Sequence, residues 1–95
     1  MRVTTDSVVR IAPDAVSCDL DGEATIMNLQ SGEYYGLDEV GGTVWQMISE
    51  PRKVSDIIQE ITSRYDVAVD RCETDLLGLI SKLADFGLVE IRSGQ

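Results

Sequence analysis

The sequence predicts an α+β, winged-helix-like domain: a three-stranded antiparallel β-meander followed by a three-helix bundle. Three observations carry this expectation. Residues 15–37 hold short apolar–polar alternations separated by turn residues. From Asp38 onward the apolar spacing changes from two to three and four. Pro51 and Gly87 then punctuate the second half where helices are expected to stop.

Residues 1–14 are mixed; Val8-Val9-Arg10-Ile11 can pair as a short strand, but Pro13 limits its length, and the region reads as an extended arm. In the first strand of the meander, Val16, Cys18 and Leu20 alternate with Ala15, Ser17 and Asp19, the period of a half-buried strand. Asp21-Gly22 favours the positive φ angles of a tight hairpin turn. Ala24 to Leu29 is the second strand, and Gln30-Ser31-Gly32 turns the chain again. Glu33-Tyr34-Tyr35-Gly36-Leu37 is the third, aromatic-rich and so strand-prone. Both connections are short, which gives the strand order 1-2-3.

Asp38 can cap the first helix, with Glu39 in its first turn. Val40, Val44 and Ile48 lie four apart with Trp45 beside them, one apolar face for the core. Pro51 ends this helix. The second carries Val54, Ile57, Ile58 and Ile61 as a buried stripe reaching toward Tyr65, behind a poor cap in Arg52-Lys53. In the third, Asp70 and Glu73 have the spacing of a capping box, and Gly87-Leu88 reads as a terminal glycine with its hydrophobic contact. Leu88 to Ile91 can add a final strand. The expectation is one domain over residues 1–95, with residues 1–7 and 93–95 flexible.

Composition narrows the function. A chain of 95 residues that is 43% hydrophobic supports one modest core. Its 17 acidic residues outweigh 8 basic ones, for a formal net charge of −9. That disfavours nucleic acid and anionic membranes, both of which call for a basic face. The longest apolar stretches are only a few residues, and the N-terminus lacks the apolar core of a signal peptide, so a cytoplasmic protein is expected. There is no histidine, which removes the commonest general base and zinc ligand together. Cys18 and Cys72 fit no metal spacing and read as buried reduced thiols. Glu23, Asp38 and Glu39 likewise read as solvated acids, and Gly41 as a point of close backbone packing. No enzyme activity, cofactor or metal is expected.

Two features ask for a partner. On the third helix, Phe86, Leu79, Cys72, Leu83, Leu76, Ile80, Ala84 and Leu77 cover an arc of about 180° at about 100° per residue, wider than one packing contact needs. Either this helix is central in the bundle, or one margin lines a groove. The margins are Asp75, Leu79, Lys82 and Phe86 on one side, and Leu77, Ser81 and Ala84 on the other. The third strand ends the meander and lacks the Lys or Pro that blunts natural edges. Either the N-terminal arm covers this edge, or a guest strand can add to it.

The run Gly32-Glu33-Tyr34-Tyr35-Gly36-Leu37-Asp38-Glu39-Val40-Gly41, then Val44-Trp45, resembles the signature of PqqD-like proteins. So does the spacing onward to Ile57-Ile58, Tyr65-Asp66-Val67, Leu83 and Gly87-Leu88-Val89, so that the resemblance spans residues 8–91. Lys53 departs from it, standing where many relatives have a capping Thr. The resemblance implies a recognition element for ribosomally synthesised, post-translationally modified peptides (a RiPP recognition element). Tyr-Tyr-Gly-Leu in a free-standing chain looks most like the leader-binding proteins of lasso-peptide biosynthesis. It implies a leader peptide added along Glu33, Tyr34, Tyr35, Gly36 and Leu37, with its side chains against some of Asp75, Leu76, Leu79, Lys82 and Leu83. The implied partners are the precursor leader, a transglutaminase-like leader peptidase and a macrolactam cyclase, with the chain itself a monomer or weak dimer. Two rivals stay open: a PqqD-type chaperone for a radical SAM maturase, and a winged-helix DNA-binding regulator. A cysteine hydrolase would lack an imidazole partner for its thiol.

Overall fold

A computed structural model describes residues 3–20 and 23–92. In chain order the elements are β1 (Val8–Ile11), β2 (Ala15–Leu20), β3 (Glu23–Asn28), β4 (Tyr34–Leu37), α1 (Glu39–Met47), β5 (Arg52–Lys53), α2 (Val54–Arg64), α3 (Val69–Asp85) and β6 (Val89–Arg92). The expected α+β architecture is present, with β2, β3 and β4 forming the antiparallel meander in that order. The Asp21-Gly22 turn lies outside the described residues, as do residues 1–2 and 93–95. The arm and the last strand do more than sequence reasoning assigned them. Together with β5 they build a second sheet in the order β5-β1-β6. Val8 to Ile11 pair with Arg92 to Val89, and Val8 and Val9 also pair with Lys53 and Arg52.

One core serves both sheets. Ile26 of β3, Val44 and Ile48 around α1, Val54, Ile57 and Ile61 of α2, Ile80 and Leu83 of α3, and Val9 and Leu88 are all buried. The helical stripes read from spacing thus supply the core, but Val40 stands exposed at the start of α1, and Leu77, Leu79, Ala84 and Phe86 of the third-helix arc are only partly buried. Asp38 caps α1 as expected, its Oδ1 accepting the Gly41 N–H at 2.7 Å. Gly41 is packed as its residue type suggests. A Cβ there would lie 3.2 Å from Asp38 Oδ1 and from Leu37 Cδ2, so glycine lets α1 start close against β4.

Three local expectations are corrected. Val16 and Cys18 are exposed, and of the two cysteines only Cys72 is buried. The register explains this. β3 sets the inward face through Ile26, which is opposite Ser17, so Val16 and Cys18 fall on the solvent side. Next, α3 starts at Val69 with Ala68 as its cap residue, and makes no capping box. Tyr65 and Val67 pack on the core, and the Ala68 carbonyl already accepts from the Cys72 N–H. Asp70 is thus inside the helix, and its carboxylate accepts the Arg71 N–H instead. The third strand begins at Tyr34, one residue later than expected.

The C-terminus of α3 follows its sequence signal. Gly87 has φ +71°, the Gly87 N–H donates to the Ala84 carbonyl and the Leu88 N–H to the Leu83 carbonyl, the two bonds of a Schellman motif. A Cβ on Gly87 would stand 2.7 Å from Asn28 Nδ2. That amide nitrogen donates to the Phe86 carbonyl at 2.8 Å. Gly87→Ala is expected to destabilise the fold by about 1–3 kcal/mol in urea unfolding, through the left-handed backbone and the displaced amide. In an Asn28→Ala background its cost should be smaller, because only the backbone term is left. Gly36→Ala, whose Cβ meets nothing within 4 Å, should stay within about 0.5 kcal/mol of the parent. Equal costs for Gly87→Ala in both backgrounds would refute the contact with Asn28.

Candidate functional site

The outer edge of the meander is open. Among the described residues β4 pairs with β3 alone, and the N-terminal arm is engaged in the other sheet. The pairing also fixes which main-chain groups face outward. The Asn28 N–H donates to the Glu33 carbonyl at 2.8 Å, so this opposed pair is a bonded one. Antiparallel ladders alternate bonded and non-bonded pairs. Counting along the register, Tyr35 opposite Ile26 is bonded, while Tyr34 opposite Met27 and Gly36 opposite Thr25 are not. The N–H and C=O groups of Tyr34 and Gly36 therefore point away from β3, into the open edge. Their side-chain positions lie on the solvent face of the sheet, whereas Tyr35 and Leu37 turn toward the helices.

Beside that edge lies a groove of about 420 Å³. Tyr35, Gly36 and Leu37 form one wall and Asp75, Leu76 and Leu79 of α3 the other. Val40, Gly41 and Val44 of α1, with Ile61, Tyr65, Val67 and Cys72, close its floor and end. Of the two margins of α3 left open by the helical wheel, the one with Asp75 and Leu79 faces this groove. Ser81 and Ala84, on the other margin, lie with Val3 and β6. The wide apolar arc thus serves both purposes: Cys72, Leu76, Ile80 and Leu83 are buried, and Leu79 lies at the groove.

One side-chain contact joins the two walls and another braces the floor. The rings of Tyr35 and Phe86 meet edge to face at 5.4 Å and 75°, tying β4 to the end of α3. Tyr65 and Thr43 share a hydroxyl hydrogen bond at 3.0 Å, tying the end of α2 to α1. The groove is mostly apolar, and the charged residues lining it, Asp38 and Asp75, are both acidic. Asp38 is occupied as a helix cap. Asp75 lies 3.7 Å from Arg71 in an exposed pair, a contact worth little in water. Burial pushes the Cys72 thiol above the ordinary thiol range, and the Asp75 carboxylate adds to the effect. Near neutral pH it is a protonated, apolar lining group.

Most of the residues singled out in the sequence come together here. Tyr35, Gly36, Leu37, Asp75, Leu76 and Leu79 line the groove, and Tyr34 is on the same strand with its side chain on the opposite, solvent face. Glu33 precedes the strand and is exposed, Lys82 is exposed outside the groove lining, and Leu83 is buried in the core. Sequence reasoning did not single out Val40, Tyr65 and Val67 as lining. A signal existed for Val40, the one member of the α1 stripe placed directly after the strand. For Tyr65 and Val67 it was an apolar pair between two helices that also belongs to the family signature.

No helix among the described residues is long and apolar enough to cross a membrane, and no group of His, Cys, Asp or Glu among them could hold a metal ion. Comparison with known proteins gives a consistent answer. A solved structure of TbiB1 in complex with the TbiA(beta) leader peptide is 33% identical, with a TM-score of 0.77 over 85% of this chain and 94% of that one. A solved lasso peptide synthetase B1 complexed with the leader peptide is 24% identical and has the same fold, with a TM-score of 0.76 over 86% of this chain and 96% of that one. No curated protein matches. The family model described as Coenzyme PQQ synthesis protein D (PqqD) matches residues 23–89, well over half of the sequence, and the chain belongs to the PqqD family.

Proposed function

We propose that this chain is a non-catalytic binding module that holds the leader peptide of a ribosomally made precursor, of the lasso class, and presents it to a leader peptidase or another maturation enzyme. The leader adds as a strand along β4, with alternate side chains in the groove against α3. The observation that carries this reading is an unpaired strand edge lying directly beside an apolar groove. The similarity to TbiB1, which was solved with a leader peptide, supports the ligand class, and the Tyr34-Tyr35-Gly36-Leu37 run supports the lasso reading over a chaperone for a radical enzyme. The cytoplasm, where precursors are made, is the compartment this role requires.

Magnitudes say what each part contributes. Tyr34 and Gly36 each offer one N–H and one C=O to a guest. At about 0.5–1.5 kcal/mol net per bond, main-chain pairing supplies about 2–6 kcal/mol before ordering costs. Fixing each leader residue costs about 1–2 kcal/mol of backbone entropy. Strand addition alone therefore gives little affinity, and side chains buried in the groove must supply most of it, at about 25 cal/mol per Å² of apolar surface. Chemistry on the peptide is left to the partner. The chain has no histidine, and its groove thiol is kept protonated by its surroundings. What the module adds is a raised effective concentration and a fixed orientation of the substrate.

Fluorescence anisotropy with a labelled TbiA(beta) leader peptide tests the groove. Saturable binding to the parent is expected, with at least a tenfold loss in Leu79→Asp, which puts a charge on the apolar wall. Circular dichroism must show that this variant is folded; Leu83→Asp, by contrast, should unfold the chain because Leu83 is buried in the core. Unchanged affinity in folded Leu79→Asp would sink the proposal. Gly36→Pro tests the edge. It removes an N–H that β3 does not use, so the fold should survive while binding weakens by about 1 kcal/mol or more, roughly fivefold. Full affinity in that variant would show that the peptide does not bond to β4.

A further inference from the structure

The solvent face of the meander carries an apolar row that the groove leaves unused. The register aligns Val16 with Met27, and Met27 with Tyr34. Val16 is 40% exposed, Tyr34 65% and Met27 partly so. The row stops at the open edge of β4. Beside Tyr34, the next residue on the same face is Gly36, with open space where a Cβ would stand.

We infer that a bound leader continues this row, placing a large apolar side chain opposite Tyr34 on the solvent face, and that Tyr34 is a specificity-determining residue outside the groove. The inference rests on the strand-addition reading and follows from strand stereochemistry. Opposed residues of neighbouring strands share a face, whichever way the guest runs. Guest residues opposite Tyr35 and Leu37 turn into the groove. Guest residues opposite Tyr34 and Gly36 then stand on the solvent face, beside an aromatic ring and a bare stretch of backbone. An aromatic or branched apolar side chain there covers both, as cross-strand aromatic pairs cover edge glycines. A polar side chain leaves the row ending in water. The formal charge of −9 on every copy disfavours a second copy of this chain as the occupant.

Selection from a random-peptide display library tests this whatever the native precursor. Binders that are lost on Leu79→Asp should show two interleaved sets of apolar positions, one for the groove and one of opposite parity. On Tyr34→Thr the second set should lose its enrichment while the groove set persists; Tyr34→Phe should behave as the parent. Changing the second-set residue of a selected peptide to Ser should weaken binding to the parent about two- to fivefold, and leave binding to Tyr34→Thr unchanged. Absence of the second set, or its survival on Tyr34→Thr, overturns the inference and leaves strand addition standing. Absence of any Leu79-dependent binder sinks strand addition itself. A self-association seen by sedimentation and abolished by Tyr34→Thr would assign the row to a second copy, and also overturns the inference.

Discussion

The side chain of Asn28 joins the meander to the helices. Its Nδ2 donates to the Phe86 carbonyl at the end of α3, and its Oδ1 accepts the Gln30 N–H at 2.9 Å. Its main chain closes the turn as well, donating to the Glu33 carbonyl and accepting the Gly32 N–H. One residue thus fixes the shape of the β3–β4 turn and the height at which it sits on the helix end. Phe86 is the same residue whose ring meets Tyr35. The separation of β4 from α3, and so the width of the groove, depends on this corner. It also explains why glycine follows Phe86. The left-handed turn ends α3, and the missing Cβ leaves room for the Asn28 amide. Ion pairs contribute much less. Arg10 and Glu90 lie close across β1 and β6, but both are about half exposed, where such pairs are worth at most about 1 kcal/mol.

An open strand edge beside an apolar groove is a hazard for any soluble chain, because it offers a template to other copies. The usual blunting devices are absent from β4, and a strand-addition site could not tolerate them. Charge does the protective work instead. Glu33, Asp38 and Glu39 flank the strand, and acids outnumber bases 17 to 8 over the sequence. Two copies bringing their β4 edges together would bring these carboxylates together too. A peptide of neutral or positive charge meets no such barrier. Under the proposed function the acidity has a reason beyond solubility: it keeps the edge open to a guest and closed to a twin.

Much of this was legible in the sequence because local signals and tertiary packing agree. The helical stripes, the Asp38 cap, the Gly87 terminus and the meander order all rest on spacing or on residues with few conformational options. The failures share a physical cause. Which face of β2 turns inward is set by its neighbour β3, and no alternation within six residues reveals that. The role of the N-terminal arm depended on partners about 80 residues away, in β6, and on a two-residue strand too short to carry a period. The start of α3 moved forward because Tyr65 and Val67 reach the core, a tertiary preference that outweighs a cap worth about 1 kcal/mol. For the groove, the helical wheel found a surplus of apolar surface, but only the packing of α3 against β6 on its other side decided which margin was free.

On the proposed function, a delivery module must also let go, and this limits how the site can be built. A guest held by many buried side chains would leave too slowly for a partner enzyme to turn over. In the proposed complex the main-chain bonds lie at an exposed edge, and a groove of about 420 Å³ has room for only a few guest side chains. That suits micromolar binding, about −8 kcal/mol, far short of the picomolar range. Specificity in such a site cannot come from total affinity. With strand addition as proposed, it comes from the two-residue period of the strand, which lets a peptide bind well only if its apolar side chains recur at the right parity. Because that period is imposed by the backbone of β4, selectivity survives wide variation in the peptide's other positions, and the rigid corner at Asn28 and Phe86 is what keeps the period in register with the groove.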